Sequence, residues 1–348
     1  MELNEEKIKK FTQVAKHIFS GATPYIIVSQ VDPDALGGAM GLSAILRKMK
    51  PNKKDDVRIL YCGEVGRAQN RAIINKFDLS KFMLPIAGFS EKEIKNAILV
   101  DSSSLADGRV PEFLHSIAPS IIIDHHRSDI IEEADNQFVW LEDLGSSSTM
   151  IVELAEATQT EIGESLALLL AIGIYTDTKA LVAASARDRN AYGKVTQNIS
   201  PFELSRLIYH PLPESHFKNF AYALNHMEQK NGRLVVNAGE IRPEDGDDLA
   251  SIADELLRKE TVLLVVVWGI IGNTVRISAR TTDLSLPLDK FLKDRFGAES
   301  GGAKFTPDYR GEGGARINLG LGIWMSEKVR KEAEALVNAR MKELIFNE

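Results

Sequence analysis

The sequence predicts an α/β protein, with a parallel sheet in its N-terminal part and a smaller mixed α/β region after it. Four apolar runs with strand character, at residues 25–29, 57–61, 97–100 and 120–123, are separated by segments with helical or partly helical character at 36–49, 67–76 and 111–117. This alternation is typical of a parallel sheet with helices on both faces. Further helices are predicted at 147–157 and 162–175.

The pattern changes in the last third of the chain. A strand run at 233–236 is followed by a polar helix at 247–258 and by two apolar runs, 262–269 and 274–279, with Gly272-Asn273 between them. An Asn beside a Gly between two strands is typical of a hairpin turn. The 348 residues suit two domains. We predict domains at 1–197 and 231–348, joined by a helical connector at 198–230 without strand signals.

Composition limits the classes of protein to consider. The chain is 44% hydrophobic and 26% charged, which is typical of a folded globular protein. The single cysteine, Cys62, excludes an intramolecular disulfide, and residues 1–10 lack the apolar run of a signal peptide, so we expect a cytoplasmic protein. The longest apolar run, 262–271, is shorter than the roughly 18 residues needed to span a membrane.

The formal net charge of −7 argues against binding to long duplex nucleic acid, because such binding needs many Lys and Arg side chains. A short phosphorylated ligand remains possible, since a local group of cations can attract it.

Acidic and histidine side chains follow three of the predicted strands. Asp124, His125 and His126 come directly after 120–123, Asp101 follows 98–100, and Asp32 and Asp34 follow 25–28. The carboxyl ends of parallel strands meet at one edge of a sheet, where these charges would repel each other unless a cation lay between them. Alternatives remain open: the triplet fits a solvated turn, and the other acids fit helix caps.

Asp177, in the sequence Thr176-Asp177-Thr178 after an apolar helix, is a further candidate. It also fits the C-terminal turn of that helix. Together the candidates form an oxygen-rich set with one or two imidazoles, which suits one or two Mn²⁺ or Mg²⁺ ions better than a structural zinc ion.

These four ordered motifs resemble those of the DHH phosphoesterase superfamily, in particular its branch with RecJ-like and oligoribonuclease or phosphoadenosine-phosphate phosphatase members. The resemblance covers nearly the whole chain and includes the Asp32-Pro-Asp34-Ala-Leu-Gly-Gly sequence. It implies that the metal ligands are Asp32, Asp34, Asp101, His125 and Asp177, with Asp101 bridging two cations. It also implies that His126 contacts the substrate phosphate, that Asp124 supports the site from behind the ligands, and that the metals activate a water.

The C-terminal region resembles the DHH-associated domain of this superfamily, which contacts substrate. The resemblance implies substrate-binding roles for Arg276, Arg280, Gly313, Gly314 and Arg316, with backbone N–H groups of a glycine-rich loop holding phosphate oxygens. A solvated surface turn is the alternative interpretation of that loop. Ser148 and Thr149 match a family Ser-Thr at the head of a helix, where we expect a cap before a ligand.

Two positions depart from the family pattern. Val28 stands where a histidine usually precedes the first Asp-x-Asp motif, with Gln30 the nearest polar side chain, and Ala315 stands where a histidine follows the two glycines. One metal position is therefore short of a ligand.

The function expected from these features is hydrolysis of phosphoester bonds in a small nucleotide or a short single-stranded oligonucleotide. Two alternatives stay open: hydrolysis of polyphosphate or pyrophosphate, and nucleotide binding without catalysis at an incomplete metal site. A homodimer is compatible with the sequence.

Overall fold

A computed structural model describes residues 3–20, 23–50, 56–63, 65–66, 68–106, 109–126, 131, 133–197, 199–298, 301–306, 310–320 and 326–347. The chain divides into two compact units, Met1–His210 and Pro211–Glu348. Their boundary falls inside the segment that the sequence predicts as a connector.

The first unit is built on a six-stranded sheet. Its strands are β1 (Pro24–Val28), β2 (Arg58–Tyr61), β3 (Met83–Pro85), β4 (Asn96–Val100), β5 (Ile121–Asp124) and β6 (Phe138–Leu141). They lie in the order β3-β2-β1-β4-β5-β6, and every pair is parallel. The strand order reverses at β1, between β2 and β4, which is where open α/β sheets bind ligands.

The α-helices of this unit are α1 (Glu5–His17), α2 (Pro33–Met49), α3 (Ala68–Lys76), α4 (Ser147–Ala157), α5 (Glu164–Asp177), α6 (Ala186–Thr196) and α7 (Pro201–Ile208). The start of α2 follows from its sequence: the Asp32 carboxylate accepts the backbone N–H of Ala35, and Pro33 occupies the first helical turn. Helix α5 is apolar on nearly all sides, because it is buried against its neighbours.

Alternate side chains of the strands enter two apolar cores. Ile26 and Ile98 pack with residues of α1, α2, α4 and α5 on one face of the sheet. Ile27 and Leu99 pack on the opposite face, where the cover includes short 3-10 helices at Ile86–Gly88 and Glu112–Leu114. Among the described residues, no member of this second core comes from an α-helix. The predicted helix at 111–117 is accordingly only a 3-10 turn.

The second unit contains a six-stranded mixed sheet. Its elements are α8 (Glu214–Asn225), β7 (Met227–Lys230), β8 (Arg233–Glu240), α9 (Asp248–Leu256), β9 (Leu264–Ile271), β10 (Thr274–Thr281), α10 (Leu288–Phe296), β11 (Gly301–Phe305), β12 (Gly311–Asn318) and α11 (Glu327–Phe346). The strand order is β11-β12-β10-β9-β8-β7, and β8 pairs with β9 in parallel while the other pairs are antiparallel. The predicted hairpin is strands β9 and β10. The predicted α/β class, with a parallel sheet followed by a mixed one, is confirmed, but among the described residues α-helices pack on only one face of the parallel sheet, where we predict helices on both.

Two segments of the second unit differ from the sequence prediction. Met227–Lys230 is a strand where we predict helix, because its backbone pairs with the apolar strand β8 despite the weak strand preference of its own residues. The prediction of a glycine-rich loop is also wrong, since Gly311–Asn318 forms strand β12 between β10 and β11. A side chain at Gly313 would come within 2.6 Å of Leu292 in α10, so the missing Cβ lets this helix pack closely on the sheet.

Among the described helices, none combines the length and the apolar character that crossing a bilayer requires.

Candidate metal centre

Three carboxylates surround one imidazole at the carboxyl edge of the parallel sheet. The Nε2 atom of His125 lies 3.3 Å from Asp101 Oδ1, 3.5 Å from Asp177 Oδ2 and 3.7 Å from Asp34 Oδ2. These residues come from the loop after β4, the loop after β5, the last residue of α5 and the first turn of α2. The fold therefore brings together four of the five metal ligands that the sequence predicts.

Backbone contacts fix the protonation of the His125 ring. Its Nδ1 atom lies 3.0 Å from the carbonyl oxygen of Leu144, which can only accept, so Nδ1 carries a proton and donates it. Nε2 is buried and makes no hydrogen bond of acceptable geometry among the described residues. A buried ring nitrogen that faces carboxylates, with the other nitrogen bound to a carbonyl, is the usual arrangement of a metal-binding histidine.

Asp34 lies in the first turn of α2, and its completely buried carboxylate contacts the beginning of α4. Its two oxygens accept the backbone N–H groups of Ser147 at 2.6 Å and Ser148 at 2.8 Å. These groups lack partners within the helix, and the positive end of the helix dipole favours a carboxylate there. Burial, reinforced by the charge of Asp177, nevertheless raises the pKa of Asp34 to about 6.

Asp101 is held in an unusual backbone conformation. Its φ of 60° lies in the left-handed region, which Asp tolerates better than most residues, and its carboxylate accepts the hydroxyl of Ser147 at 3.1 Å. Burial and the nearby charge of Asp34 raise its pKa well above the ordinary value. A strained residue whose carboxylate is placed among other acids is typical of a functional site.

The charges of the centre are unbalanced without a cation. Burial lowers the pKa of His125, but contacts with Asp101 and Asp177 and the charge of Asp34 outweigh this effect and raise that pKa to about 12. Two overlapping sets of side chains have potential ligand atoms within 4.8 Å of one another: Asp34 with His125 and Asp177, and Asp101 with His125 and His126. The orphaned Nε2 and the excess of carboxylate oxygens fit a divalent cation that prefers oxygen ligands.

His126 is hydrogen-bonded to Asp124. Its Nδ1 lies 2.8 Å from Asp124 Oδ1, and the same oxygen accepts the backbone N–H of His126 at 3.1 Å. Asp124 is buried, whereas the His126 side chain is 45% exposed. The carboxylate therefore orients an accessible imidazole beside the carboxylates.

Asp32 has a different position from the other predicted ligands. It caps α2 and belongs to neither of the two sets, although its charge helps to raise the pKa of Asp101. Val28, one of the two positions that depart from the family pattern, is fully buried within β1. Gln30, the nearest polar side chain, accepts a hydrogen bond from Arg109. Position 28 therefore supplies no imidazole to the centre.

The predicted substrate-binding residues of the second unit differ in their surroundings. Arg276 and Arg316 lie directly opposite each other on β10 and β12, and neither makes a hydrogen bond or ion pair among the described residues. Arg280 is only 7% exposed and donates to Asp254 at 2.5 Å. Gly313 and Gly314 lie within paired strands, so the prediction that they belong to a phosphate-holding loop is wrong.

Some residues of the site carry no recognisable sequence signal. The cap of α4 is Ser146, two residues before the Ser148 that we expect there, and Thr149 instead donates to Asp188 at 2.7 Å. Leu144 contributes only its carbonyl, which any residue type supplies. Ser147 was detectable only as a neighbour of the Ser-Thr motif.

Comparison with known proteins gives a family match in the first unit. Residues 24–174 match the model of the DHH family, N-terminal domain. Over 331 residues the chain is 27% identical to the uncharacterized protein MJ1633 of Methanocaldococcus jannaschii, covering 92% of this chain and 64% of that protein. Uncharacterized protein MJ0988 of the same organism is 22% identical over 169 residues, 49% of each chain. The chain thus spans less than two thirds of the length of either relative.

Solved structures share the fold. An exopolyphosphatase-related protein from Bacteroides fragilis superposes with a TM-score of 0.69 at 15% identity, over 98% of this chain and 97% of the other. RecJ from Thermus thermophilus in complex with Mn²⁺ gives a TM-score of 0.51 at 14% identity, over 98% of this chain and 56% of the other. At such identities the similarity concerns the fold alone.

Proposed function

We propose that this chain, whose residues 24–174 match the model of the DHH family, N-terminal domain, is a member of the DHH phosphoesterase superfamily and hydrolyses phosphoester bonds with the help of one or two divalent cations at the carboxyl edge of its parallel sheet. The observation that carries this proposal is the buried, orphaned Nε2 of His125 among Asp34, Asp101 and Asp177.

The protein side of the site is arranged for a cation such as Mn²⁺ or Mg²⁺. Asp34, Asp101, His125 and Asp177 hold it, and Asp32 extends the set on the side of α2. A divalent cation bound there supplies a nucleophile by acidifying water and neutralises charge on the phosphorus. Mn²⁺ is the preferred candidate, since the RecJ structure with the same fold carries that ion.

His126 and Asp124 have roles beside the cation. The Nδ1 proton of His126 is directed to Asp124, so its Nε2 is the ring atom available to a phosphate oxygen or a leaving group. We assign His126 as the residue that contacts the substrate phosphate, and Asp124 as the residue that orients it.

The second unit contributes substrate binding through Arg276 and Arg316. Like charges directly opposite on neighbouring strands destabilise a sheet unless an anion lies between them, and both guanidinium groups are without protein partners among the described residues. Arginine binds phosphate bidentately, so this pair suits a phosphate or nucleotide. Arg280, with its Asp254 partner, is suited to holding the strand rather than the ligand.

The substrate class that we propose is a small nucleotide or a short single-stranded oligonucleotide. The test is hydrolysis of a dinucleotide and of 3′-phosphoadenosine 5′-phosphate by the 348-residue chain with Mn²⁺. Release of mononucleotide or phosphate supports the proposal, and absence of turnover with tight nucleotide binding supports the non-catalytic alternative.

Polyphosphate is the second candidate substrate. It is favoured by the similarity in fold to the exopolyphosphatase-related protein, which extends over nearly the whole of both chains. Polyphosphate and the dinucleotide, compared at equal phosphate concentration, separate the two candidates: a preference for polyphosphate of tenfold or more in kcat/KM would replace the nucleotide assignment.

A further inference from the structure

Asp188 is a buried carboxylate outside the metal centre. It is hydrogen-bonded to the segment around Gly145 and Thr149, which contacts the predicted metal ligands. The Asp188 side chain is 0% exposed at the start of α6. Its oxygens accept the backbone N–H of Gly145 at 3.2 Å, the hydroxyl of Thr149 at 2.7 Å and the backbone N–H of Ser185 at 2.8 Å. All these donors are neutral, so the contacts fix the position of the loop without forming an ion pair.

The loop that Asp188 holds supplies the contacts of two predicted ligands. Leu144, next to Gly145, provides the carbonyl that accepts from His125 Nδ1 at 3.0 Å. Ser147, two residues further on, donates its backbone N–H to Asp34 and its hydroxyl to Asp101. A shift of this loop therefore moves the His125 ring and the donors of both carboxylates at once.

Gly145 lies in a space that leaves no room for such a shift. A Cβ at this position would come within 2.5 Å of Thr178 Cγ2 and 2.6 Å of Asp188 Oδ2. Thr178 directly follows the predicted ligand Asp177. The loop is thus packed between Asp188 on one side and the end of α5 on the other.

We propose that Asp188 is a positioning residue that sets the affinity of the centre for a divalent cation by fixing the β6–α4 loop. This inference rests on the proposed metal-dependent function. Residues that support metal ligands through hydrogen bonds change metal affinity by about 10- to 100-fold when they are replaced. An asparagine at 188 cannot satisfy the same donors, because its NH₂ group faces the backbone N–H of Gly145 in one orientation and those of Gly145 and Ser185 in the other, and only the Thr149 hydroxyl can turn to accept.

The test compares variants of the 348-residue chain that alter these contacts separately. Asp188→Asn alters the whole set, whereas Ser185→Ala removes only the hydroxyl that accepts the backbone N–H of Asp188 at 3.2 Å and keeps the loop contacts. Thr149→Val has a similar shape but removes the hydrogen bond between Asp188 and the start of α4, and Thr149→Ser keeps the hydroxyl. The readouts are the Mn²⁺ dissociation constant from calorimetry and the EPR spectrum of bound Mn²⁺, with thermal unfolding recorded for each variant.

We expect the Mn²⁺ dissociation constant to rise about tenfold or more in Asp188→Asn and severalfold in Thr149→Val, and to stay within about threefold of the parent in Ser185→Ala and Thr149→Ser. If Asp188→Asn does not fold, the two Thr149 variants decide. Equal Mn²⁺ affinity in parent, Asp188→Asn and Thr149→Val would overturn the inference and leave the proposed function standing. A parent chain that binds no Mn²⁺ would overturn the metal-dependent function itself.

Discussion

The His125 ring donates its Nδ1 proton to the backbone carbonyl of Leu144, 3.0 Å away, across 19 residues of sequence. This contact turns Nε2 toward the carboxylates of Asp34, Asp101 and Asp177. Because the acceptor is a backbone atom, no substitution at Leu144 removes it, and the orientation of His125 depends on the path of the loop between β6 and α4.

Asp101 gives the sharpest test of the metal ligands. Asp101→Asn keeps the size of the side chain and tolerates the φ of 60°, so the fold should persist. We expect kcat/KM with Mn²⁺ to fall at least about 100-fold, because loss of a carboxylate that neutralises a cation costs several kcal/mol of transition-state stabilisation. The control is Asp78→Asn, an exposed residue with a similar φ of 51°. Equal activity in both variants would exclude Asp101 as a ligand.

His126 should act on the substrate rather than on cation binding. We expect His126→Ala to lower the rate about 100-fold or more, the range for loss of a proton-transferring or phosphate-contacting group, with Mn²⁺ affinity within about threefold of the parent. Asp124→Asn should have a smaller effect, about tenfold, since its carbonyl oxygen can still accept from His126. Kinetics and calorimetry on the same preparations check this. A His126→Ala variant that loses Mn²⁺ as completely as Asp101→Asn would make His126 a ligand instead.

Cation binding should weaken in mild acid. The pKa of Asp34 is raised to about 6, mainly by burial, so this carboxyl is anionic at pH 7.5 and protonated at pH 5. Since the folded value exceeds the ordinary value of 3.8, protonation of Asp34 favours the metal-free fold as the pH falls from about 6 toward 4. Protons therefore compete with Mn²⁺. The rise in Tm caused by Mn²⁺ should be clearly larger at pH 7.5 than at pH 5, and an equal rise at both would contradict the assignment of Asp34.

The arginines of the second unit should separate into binding and structural residues. We expect Arg276→Ala and Arg316→Ala each to raise KM about tenfold or more with little change in Tm, since a hydrogen bond to a charged group contributes roughly 1.5–3 kcal/mol. Arg280→Ala should instead lower stability by about 1–3 kcal/mol, because it removes the buried contacts with Ser278, Ala279 and Asp254. Denaturant unfolding and steady-state kinetics of the three variants distinguish the roles. Unchanged KM in Arg276→Ala and Arg316→Ala would remove this face from the substrate site.

The sequence predicts which side chains lie together best where one side chain follows one strand. Asp101 and His125 come directly after apolar runs, and parallel strands place their ends together whatever the details of packing. Asp177 is a candidate from its place after an apolar helix, and the family resemblance favours a ligand over the C-terminal turn that the same position also fits. Asp32 shows the limit of this reasoning, because the same pattern fits both a ligand and the helix cap that its carboxylate forms.

Contacts that depend on tertiary packing could not be predicted. Asp188 lies 63 residues after His125, in a helix whose sequence shows only a capping pattern, and its partners are two backbone N–H groups and one hydroxyl. The glycines of β12 favour a loop by their intrinsic preference, yet pairing on both sides makes them a strand. Local propensity is decisive only where packing does not override it.

The most direct test of the central claim is Mn²⁺ binding and dinucleotide hydrolysis measured on the same preparation of the 348-residue chain, before and after removal of metal with a chelator. We expect one or two Mn²⁺ ions per chain, loss of hydrolysis on chelation and its return when Mn²⁺ is restored. Hydrolysis that continues unchanged in the chelated protein, or a folded chain that takes up no Mn²⁺, would contradict the assignment of a metal-dependent phosphoesterase.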